Sequence, residues 1–368
     1  MKAIFVCIFL IFCFGCCSIL YAQETTPYIF SNVPKHDKNE YLKLEKLYSI
    51  PFDDESGKNL YFISYFSNMD TDIDTNLYIL DEKNFNLVVF NKKGQFIRTI
   101  GSKGQGPSEF ESPDWLYIDN KDRIYVLERD KGIKIIDRNG KYLNFYVIQN
   151  NHYNITPFRI YNDCLYTLEI IIKGSTSVVL NMNKISIDFK TCNTFASLDI
   201  KLKSGKLSIP SPVNYVAWNI DSNGNVYLAQ ESNNTYKIDV FNNAGKLLYS
   251  FGRKYKNIPF TDKYLEHMKK TYEDRINVLK YPGIINYFFI DEDKVFVVVG
   301  ECTGNLNTPL PKFKIMSTID VFTTKGEYLY SFKDLYFSFN SLLKNGRLYS
   351  APSQDDLNFH VFKIQYKK

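Results

Sequence analysis

The stretch Trp115-Leu116-Tyr117-Ile118-Asp119-Asn120-Lys121-Asp122-Arg123-Ile124-Tyr125-Val126-Leu127-Glu128 reads as two short strands around a polar turn. Apolar and aromatic residues fill 115–118 and 124–127, and Asn120, Lys121 and Asp122 separate them, which is the pattern of a β-hairpin. The chain goes on with a loop at 129–132, a strand at 133–137, the turn Arg138-Asn139-Gly140 and a strand at 142–148. Four antiparallel strands therefore fit between residues 115 and 148.

The same unit returns along the chain. Its second strand begins with an aliphatic–aromatic dipeptide in six places: Leu77-Tyr78, Ile124-Tyr125, Leu165-Tyr166, Val226-Tyr227, Val295-Phe296 and Leu348-Tyr349. Most copies follow a turn residue (Asp122, Asp163, Gly224, Asp293, Gly346). Four are followed in turn by a glycine, at Gly94, Gly140, Gly245 and Gly326, placed where a tight hairpin needs a positive φ. One four-stranded sheet cannot bury both of its faces, so the copies must stack on one another. The closed solution for six of them is an all-β, six-bladed β-propeller with four-stranded blades.

The run Ile118-Asp119…Ile124-Tyr125-Val126…Ile133-Lys134-Ile135-Ile136-Asp137-Arg138-Asn139-Gly140 resembles an NHL-type propeller repeat. The run Gly101-Ser102-Lys103-Gly104-Gln105-Gly106-Pro107-Ser108-Glu109-Phe110 resembles the Gly-x-Gly-Pro-x-Glu-aromatic signature of six-bladed propellers exported by Bacteroidetes-type bacteria. The resemblance extends over about residues 60–366. It implies the fold and carries no set of catalytic residues with it. Two departures stand out: blade 3, at 158–198, lacks the turn glycine, and a long insertion precedes blade 5.

A ring needs a fourth strand for its last blade, because only 358–365 reads as a strand after Leu348-Tyr349. Residues 41–50 alternate apolar and charged side chains as an outer strand should, so an N-terminal strand is expected to close the ring. Residues 23–368 then form a single domain. The composition agrees, with 45% hydrophobic and 16% aromatic residues, the latter being strand formers. The net charge of +5, with no dense basic stripe, argues against a nucleic-acid partner.

Residues 1–22 read as a secretory signal peptide: Lys2, an apolar run, then Leu20-Tyr21-Ala22. Cleavage after Ala22 is the favoured reading, which makes the protein exported, periplasmic or at the cell surface. Acylation of Cys16 is the alternative, giving an outer-membrane lipoprotein and the one route to a membrane. The remaining Cys164, Cys192 and Cys302 are expected to stay reduced, and the chain to be monomeric.

Propeller topology sends the short hairpins to one face and the longer connections to the other. On the longer-loop face lie the glycine-rich segment 101–110, an insertion at about 253–283 and the loop 301–314. Leu265, Met268, Tyr272, Ile276 and Leu279 recur at helical spacing, so a helix is expected over 261–280. No nucleophile elbow or His-Glu-x-x-His motif is present, and no catalytic residue is assigned. The expected function is a binding or scaffold module recognising a protein, peptide or glycan through that face, with Glu109, Glu128, Arg129, Glu231, Arg253 and Glu301 as ligand-binding candidates. No cofactor is expected. Glu128, Glu231 and Glu301 follow strands at matching repeat positions, however, and a ring of carboxylates at the axis could hold Ca2+. The alternative is a metal-dependent lyase or lactonase of the six-bladed propeller type.

Overall fold

A computed structural model describes residues 27–36, 42–52, 66–148, 157–173, 177–201, 217–229, 235–257, 283–299, 317–338, 340–352 and 356–366, with isolated positions elsewhere. The expected signal peptide, Cys302, Glu231, Glu301 and the loop 301–314 lie outside the described residues.

The chain is an all-β six-bladed propeller. Blade 1 consists of Phe66–Thr71, Leu77–Asp81, Asn86–Phe90 and Phe96–Ile100, and blade 2 of Pro113–Ile118, Ile124–Glu128, Gly132–Ile136 and Tyr142–Val147. Blade 3 consists of Phe158–Tyr161, Cys164–Lys173, Ser177–Ser186 and Cys192–Lys201, and blade 4 of Trp218–Ile220, Val226–Ala229, Ile238–Phe241 and Leu247–Gly252. Blade 5 consists of Ile285–Asp291, Lys294–Val299, Ser317–Thr323 and Tyr328–Asp334. Blade 6 runs Leu342–Lys344, Arg347–Ser350, Asn358–Tyr366 and, outermost, the N-terminal Leu42–Pro51, antiparallel to Asn358–Tyr366.

The repeated dipeptide marks the second strand because that strand is covered on both faces by neighbouring blades. Ile124–Glu128 is buried throughout, and the aromatic members Tyr78, Tyr125, Tyr166, Tyr227, Phe296 and Tyr349 are all at most 1% exposed. Burying a tyrosine leaves its hydroxyl to be satisfied, and three blades do so in one way. In blades 1, 2 and 4 the first hairpin carries an aspartate whose Oδ1 accepts turn amides and whose Oδ2 accepts the tyrosine hydroxyl: Asp72 with Tyr78, Asp119 with Tyr125, Asp221 with Tyr227. Blades 3 and 6 instead turn on the two-residue pairs Asn162-Asp163 and Asn345-Gly346, all four at positive φ as a type I′ hairpin requires.

The hairpin between the third and fourth strands repeats a different device. Asn91, Asp137, Asn242 and Thr323 each accept two turn amides through a side-chain oxygen. Gly140 follows at φ +85, and a Cβ there would meet Ile100 of the preceding blade at 2.8 Å. In blade 3, which has no such glycine, Phe189 takes the left-handed conformation at φ +59.

The N-terminal segment is longer in reach than expected. Tyr28–Phe30 adds a fifth, parallel strand to the outer edge of blade 4, and the amides of Lys35 and His36 donate to Tyr328 and Leu329 on the outer strand of blade 5. The segment therefore covers the edges of blades 4 and 5 before its next strand completes blade 6. A three-residue strand has no alternation to read, so only the last of these contacts is visible in the sequence.

In the insertion, residues 262, 265, 266, 269 and 270 are helical, and most of the rest of 261–280 lies outside the described residues. Asn277–Val278, however, is extended and pairs in parallel with Ser208–Ile209, so the expected helix does not include these two. Helical spacing at its end was overridden by a long-range strand partner. Cys164 and Cys192 are not bonded to each other. They stand on the second and fourth strands of blade 3, about 10 Å apart by strand spacing, beyond the reach of a disulfide.

Candidate functional site

The first strand of every blade faces the propeller axis, and together the six enclose a cavity of about 830 Å3. That is within the range of small-molecule sites, roughly 300–1,000 Å3. The register that aligns the dipeptides also aligns the cavity wall. The residues paired with Tyr78, Tyr125, Tyr166, Tyr227, Phe296 and Tyr349 are Asp70, Tyr117, Arg159, Asn219, Phe289 and Leu342, which form one level of the lining.

An inner strand is a sheet edge, so its outward amides and carbonyls need partners. Most polar side chains at this level supply them to the next blade. Asp70 Oδ2 accepts the Ile118 amide at 2.7 Å, Tyr117 Oη donates to the Ile160 carbonyl at 3.1 Å, and Asn219 Nδ2 donates to the Phe288 carbonyl at 3.3 Å. One strand-half deeper, Asn68 both donates to the Leu116 carbonyl and accepts from its amide. Lys344 of blade 6 closes the circle: its ammonium donates to Asp70 Oδ1 and to the Thr71 and Ile118 carbonyls, at 2.7, 2.9 and 2.9 Å.

Arg159 differs. Its Nη1 donates to the carbonyl of Phe158 in its own strand at 2.9 Å, and no carboxylate pairs with it among the described residues. Its guanidinium lies 5.9 Å from the ring centroids of both Trp115 and Trp218, the only two tryptophans of the chain. Burial lowers its pKa from the ordinary arginine value, against the opposing charges of Tyr117 and Asp70. The Nε1 of Trp115 is buried with no hydrogen-bond partner among the described residues.

The candidates taken from the loop-rich face belong to the scaffold. Glu109 Oε2 accepts the Gly106 amide inside the glycine-rich loop, and Lys134 donates to the carbonyls of Gly106 and Glu109, pinning that loop over buried Phe110. Glu128 is 2% exposed and accepts the amides of Glu111 and Ser112 at 3.0 and 2.8 Å. It is not part of the cavity wall, which corrects the expectation that it faces the axis in a carboxylate ring: the carboxylate ends its strand where the incoming loop needs an acceptor. Arg129 pairs with Glu82 and Asp114. Arg253 makes a two-pronged pair with fully buried Asp320, at 2.7 and 2.9 Å, among the rings of Tyr236, Tyr255 and Tyr328. Glu109, Glu128 and Arg129 gather around Lys134 and the incoming loop of blade 2, and Arg253 stands apart on Asp320 of blade 5. Among the described residues, no three His, Cys, Asp or Glu side chains are grouped closely enough to hold a metal ion.

The short hairpins also do more than expected. Asn120, Lys121, Asn162, Ser222 and Asn345 lie in the first hairpins and line the cavity, so the hairpin face opens into it and is not shallow.

Ser49, His360 and Asp356 form a hydrogen-bonded chain in blade 6, Ser49 Oγ on Nδ1 at 2.9 Å and Asp356 Oδ2 on Nε2 at 2.6 Å. Ser49 and His360 are cross-strand partners on the two strands that close the ring. Neither lines the axial cavity, and the relay fastens the N-terminal strand to its neighbour.

Comparison with known proteins agrees with this architecture. Over 90% of the chain matches all of a DUF4221-family protein from Bacteroides vulgatus, with 13% identity and a TM-score of 0.56, a likeness of fold. A Bacteroides fragilis protein inferred to be exported (15% identity, 93% of this chain and 100% of that one, TM-score 0.48) and a gluconolactonase from Xanthomonas campestris (11%, 88% and 98%, 0.45) are more distant. No curated protein matches the chain. The model of one family, described as a 6-bladed beta-propeller, matches residues 60–300, more than half the chain. The six sheets, their shared register and this match have one meaning: the chain belongs to the DUF5128 family of six-bladed β-propellers.

Proposed function

We propose that the protein is an exported, non-catalytic binding module that holds its ligand, the end of a glycan, in the axial cavity. The observation that carries this reading is the cavity itself: about 830 Å3, walled by aromatic rings, and rimmed at the hairpin face by the amide and hydroxyl side chains of Asn120, Asn162, Ser222 and Asn345. Flat apolar faces beside convergent polar groups suit a ring bearing many hydroxyls. The four described candidates of the loop-rich face, Glu109, Glu128, Arg129 and Arg253, are already bonded within the scaffold, which favours the axis over that face. Export rests on the signal-peptide pattern of residues 1–22.

The test combines binding with chemistry. Oligosaccharides of known composition are added while tryptophan emission is followed, since both indoles line the cavity. Mass spectra are then taken after long incubation, with and without Ca2+. The reading expects an emission change and sugars of unchanged mass. Cleaved or ring-opened products would overturn it in favour of the lyase or lactonase alternative.

A further inference from the structure

We infer that Arg159, flanked by Trp115 and Trp218, is an anion anchor, and that the ligand of the axial cavity carries a carboxylate on a sugar ring: a uronic acid. This rests on the cavity being the binding site and adds the chemical class of what enters it.

The argument starts from the other cations in the wall. Lys344 has three acceptors for its three protons. Arg123 is held by Asp119 and Asp163, at 2.7 and 2.6 Å. Lys121 stands exposed at the hairpin rim. Arg159 is the deep cation whose fork is engaged only by a carbonyl of its own strand among the described residues. At its level of the wall, the polar neighbours Asp70, Tyr117 and Asn219 all bond the inner strand of the next blade. Arg159 occupies the same register and makes no such hydrogen bond. Its guanidinium lies between Trp115 of blade 2 and Trp218 of blade 4, a contact across blades that leaves most of its N–H donors unused among the described residues.

The chemistry of the occupant follows from the groups around it. A guanidinium presents a planar set of donors that matches the two oxygens of a carboxylate. The desolvation that lowers the Arg159 pKa is relieved when an anion enters. The wall also holds Asp119, Asp221 and Asp291, each occupied by backbone amides (Asp119 by Lys121 and Arg123, Asp221 by Asn223 and Asn225, Asp291 by Gly346), and Glu292, which stands exposed in the blade 5 hairpin at the edge of the cavity. Asp70 is neutralised by Lys344. The two indole faces offer apolar surface to a pyranose ring, and the rim asparagines and Ser222 answer its hydroxyls. An aromatic acid would use the arginine and the indoles but leave that polar rim unanswered.

The experiment titrates the full mature chain with D-glucuronate, D-glucose and benzoate, reading tryptophan emission, and repeats it with Arg159→Met and Arg159→Lys. Glucuronate is expected to bind most tightly. Arg159→Met should lose at least about tenfold in glucuronate affinity, the scale of a charge-assisted hydrogen bond, with glucose affinity within about threefold of the parent. Arg159→Lys should fall between, because it keeps the charge and loses the fork. Circular dichroism and melting of each variant show whether it folds, and the glucose titration serves as an internal check on the cavity. Equal affinity for glucuronate and glucose, or an Arg159→Met variant that binds glucuronate as the parent does, would overturn the anchor and leave the cavity as a sugar site. Benzoate binding as tightly as glucuronate would overturn the sugar. If none of the three probes alters the emission, both the anchor and the cavity reading fail, and ligand-induced protection mapped to the loop-rich face would separate the second failure from the first.

Discussion

In blade 2 the carboxylate of Asp119 holds two turn amides, the Arg123 guanidinium and the Tyr125 hydroxyl. In blade 3 the same hairpin is the two-residue turn Asn162-Asp163, and the Tyr166 hydroxyl beneath it has no partner among the described residues. The contrast extends to the axis. Tyr117 of blade 2 bonds the inner strand of blade 3, whereas Arg159 of blade 3 makes no corresponding bond to blade 4. Both blades meet the geometric demands of the ring, but at these two places, the first hairpin with its tyrosine and the axial level, blade 2 binds its polar groups to the scaffold and blade 3 does not. This holds even though Trp115 Nε1 and Glu128 Oε1 of blade 2 are themselves buried without a hydrogen-bond partner among the described residues. A repeat protein shows in this way which copies are shaped by assembly alone. The copy that departs from the repeat's own chemistry, while keeping its backbone, is where another constraint acts.

The largest effect expected from this difference is on stability. Asp119→Ala strands two amides, a half-buried guanidinium and a buried hydroxyl, which should lower unfolding free energy by about 2–4 kcal/mol. Asp163→Ala in blade 3 removes an exposed partner of Arg123 and places alanine at φ +55, for about 1 kcal/mol. Chemical denaturation of the two variants gives both values, and equal losses would erase the distinction between the blades.

A smaller effect is expected at the hairpin between the third and fourth strands. Gly140→Ala forces a Cβ to within 2.8 Å of Ile100 Cγ2 at φ +85 and should cost about 1–2 kcal/mol. Phe189 in blade 3 shows that a side chain can occupy the left-handed conformation in this position of the repeat. Much of the cost in blade 2 is therefore steric, and Gly140→Ala measured in an Ile100→Ala background, where Cγ2 is gone, should cost less than in the parent. If it costs the same in both, the backbone conformation and not the interblade contact makes glycine necessary.

The fold was legible because its signals are local and repeated: the buried dipeptide, the turn glycine and the alternating strand 41–50 each report a contact made in every copy or at the chain end. The axial site was not, since strands of three to six residues such as Trp218–Ile220 carry no period to follow. A trace of it was there. Counting back seven or eight residues from each repeated aromatic gives Asp70, Tyr117, Arg159, Asn219, Phe289 and Leu342, the lining level seen in the structure. Glu109, Glu128 and Arg253 were singled out because charge on a loop reads as available for a ligand. Loops that cross from one blade to the next must bury amides, which Glu109 and Glu128 accept, while Arg253 is taken up by the buried Asp320 carboxylate.

The most delicate test replaces a single oxygen in each blade. Tyr125 and Tyr166 occupy the same place in the repeat, both are 0% exposed, and both hydroxyls are buried. Tyr125 donates to Asp119 Oδ2 at 3.1 Å, and Asp119 keeps its other partners when that bond is lost. Tyr125→Phe should therefore cost about 1 kcal/mol, the net value of one such bond. Tyr166 has no bond to lose, and burial pushes its pKa up to about 12, a sign that the hydroxyl is poorly solvated. Removing a buried polar atom that lacks a partner relieves a desolvation penalty, so Tyr166→Phe should be neutral or stabilising by up to about 1 kcal/mol. Urea midpoints of the two variants, taken beside the parent, are expected to move in opposite directions or to leave only the Tyr125 variant destabilised. A Tyr166→Phe variant that loses as much as Tyr125→Phe would mean that the blade 3 hydroxyl is satisfied after all, and that the two blades differ in geometry but not in how they use their polar groups.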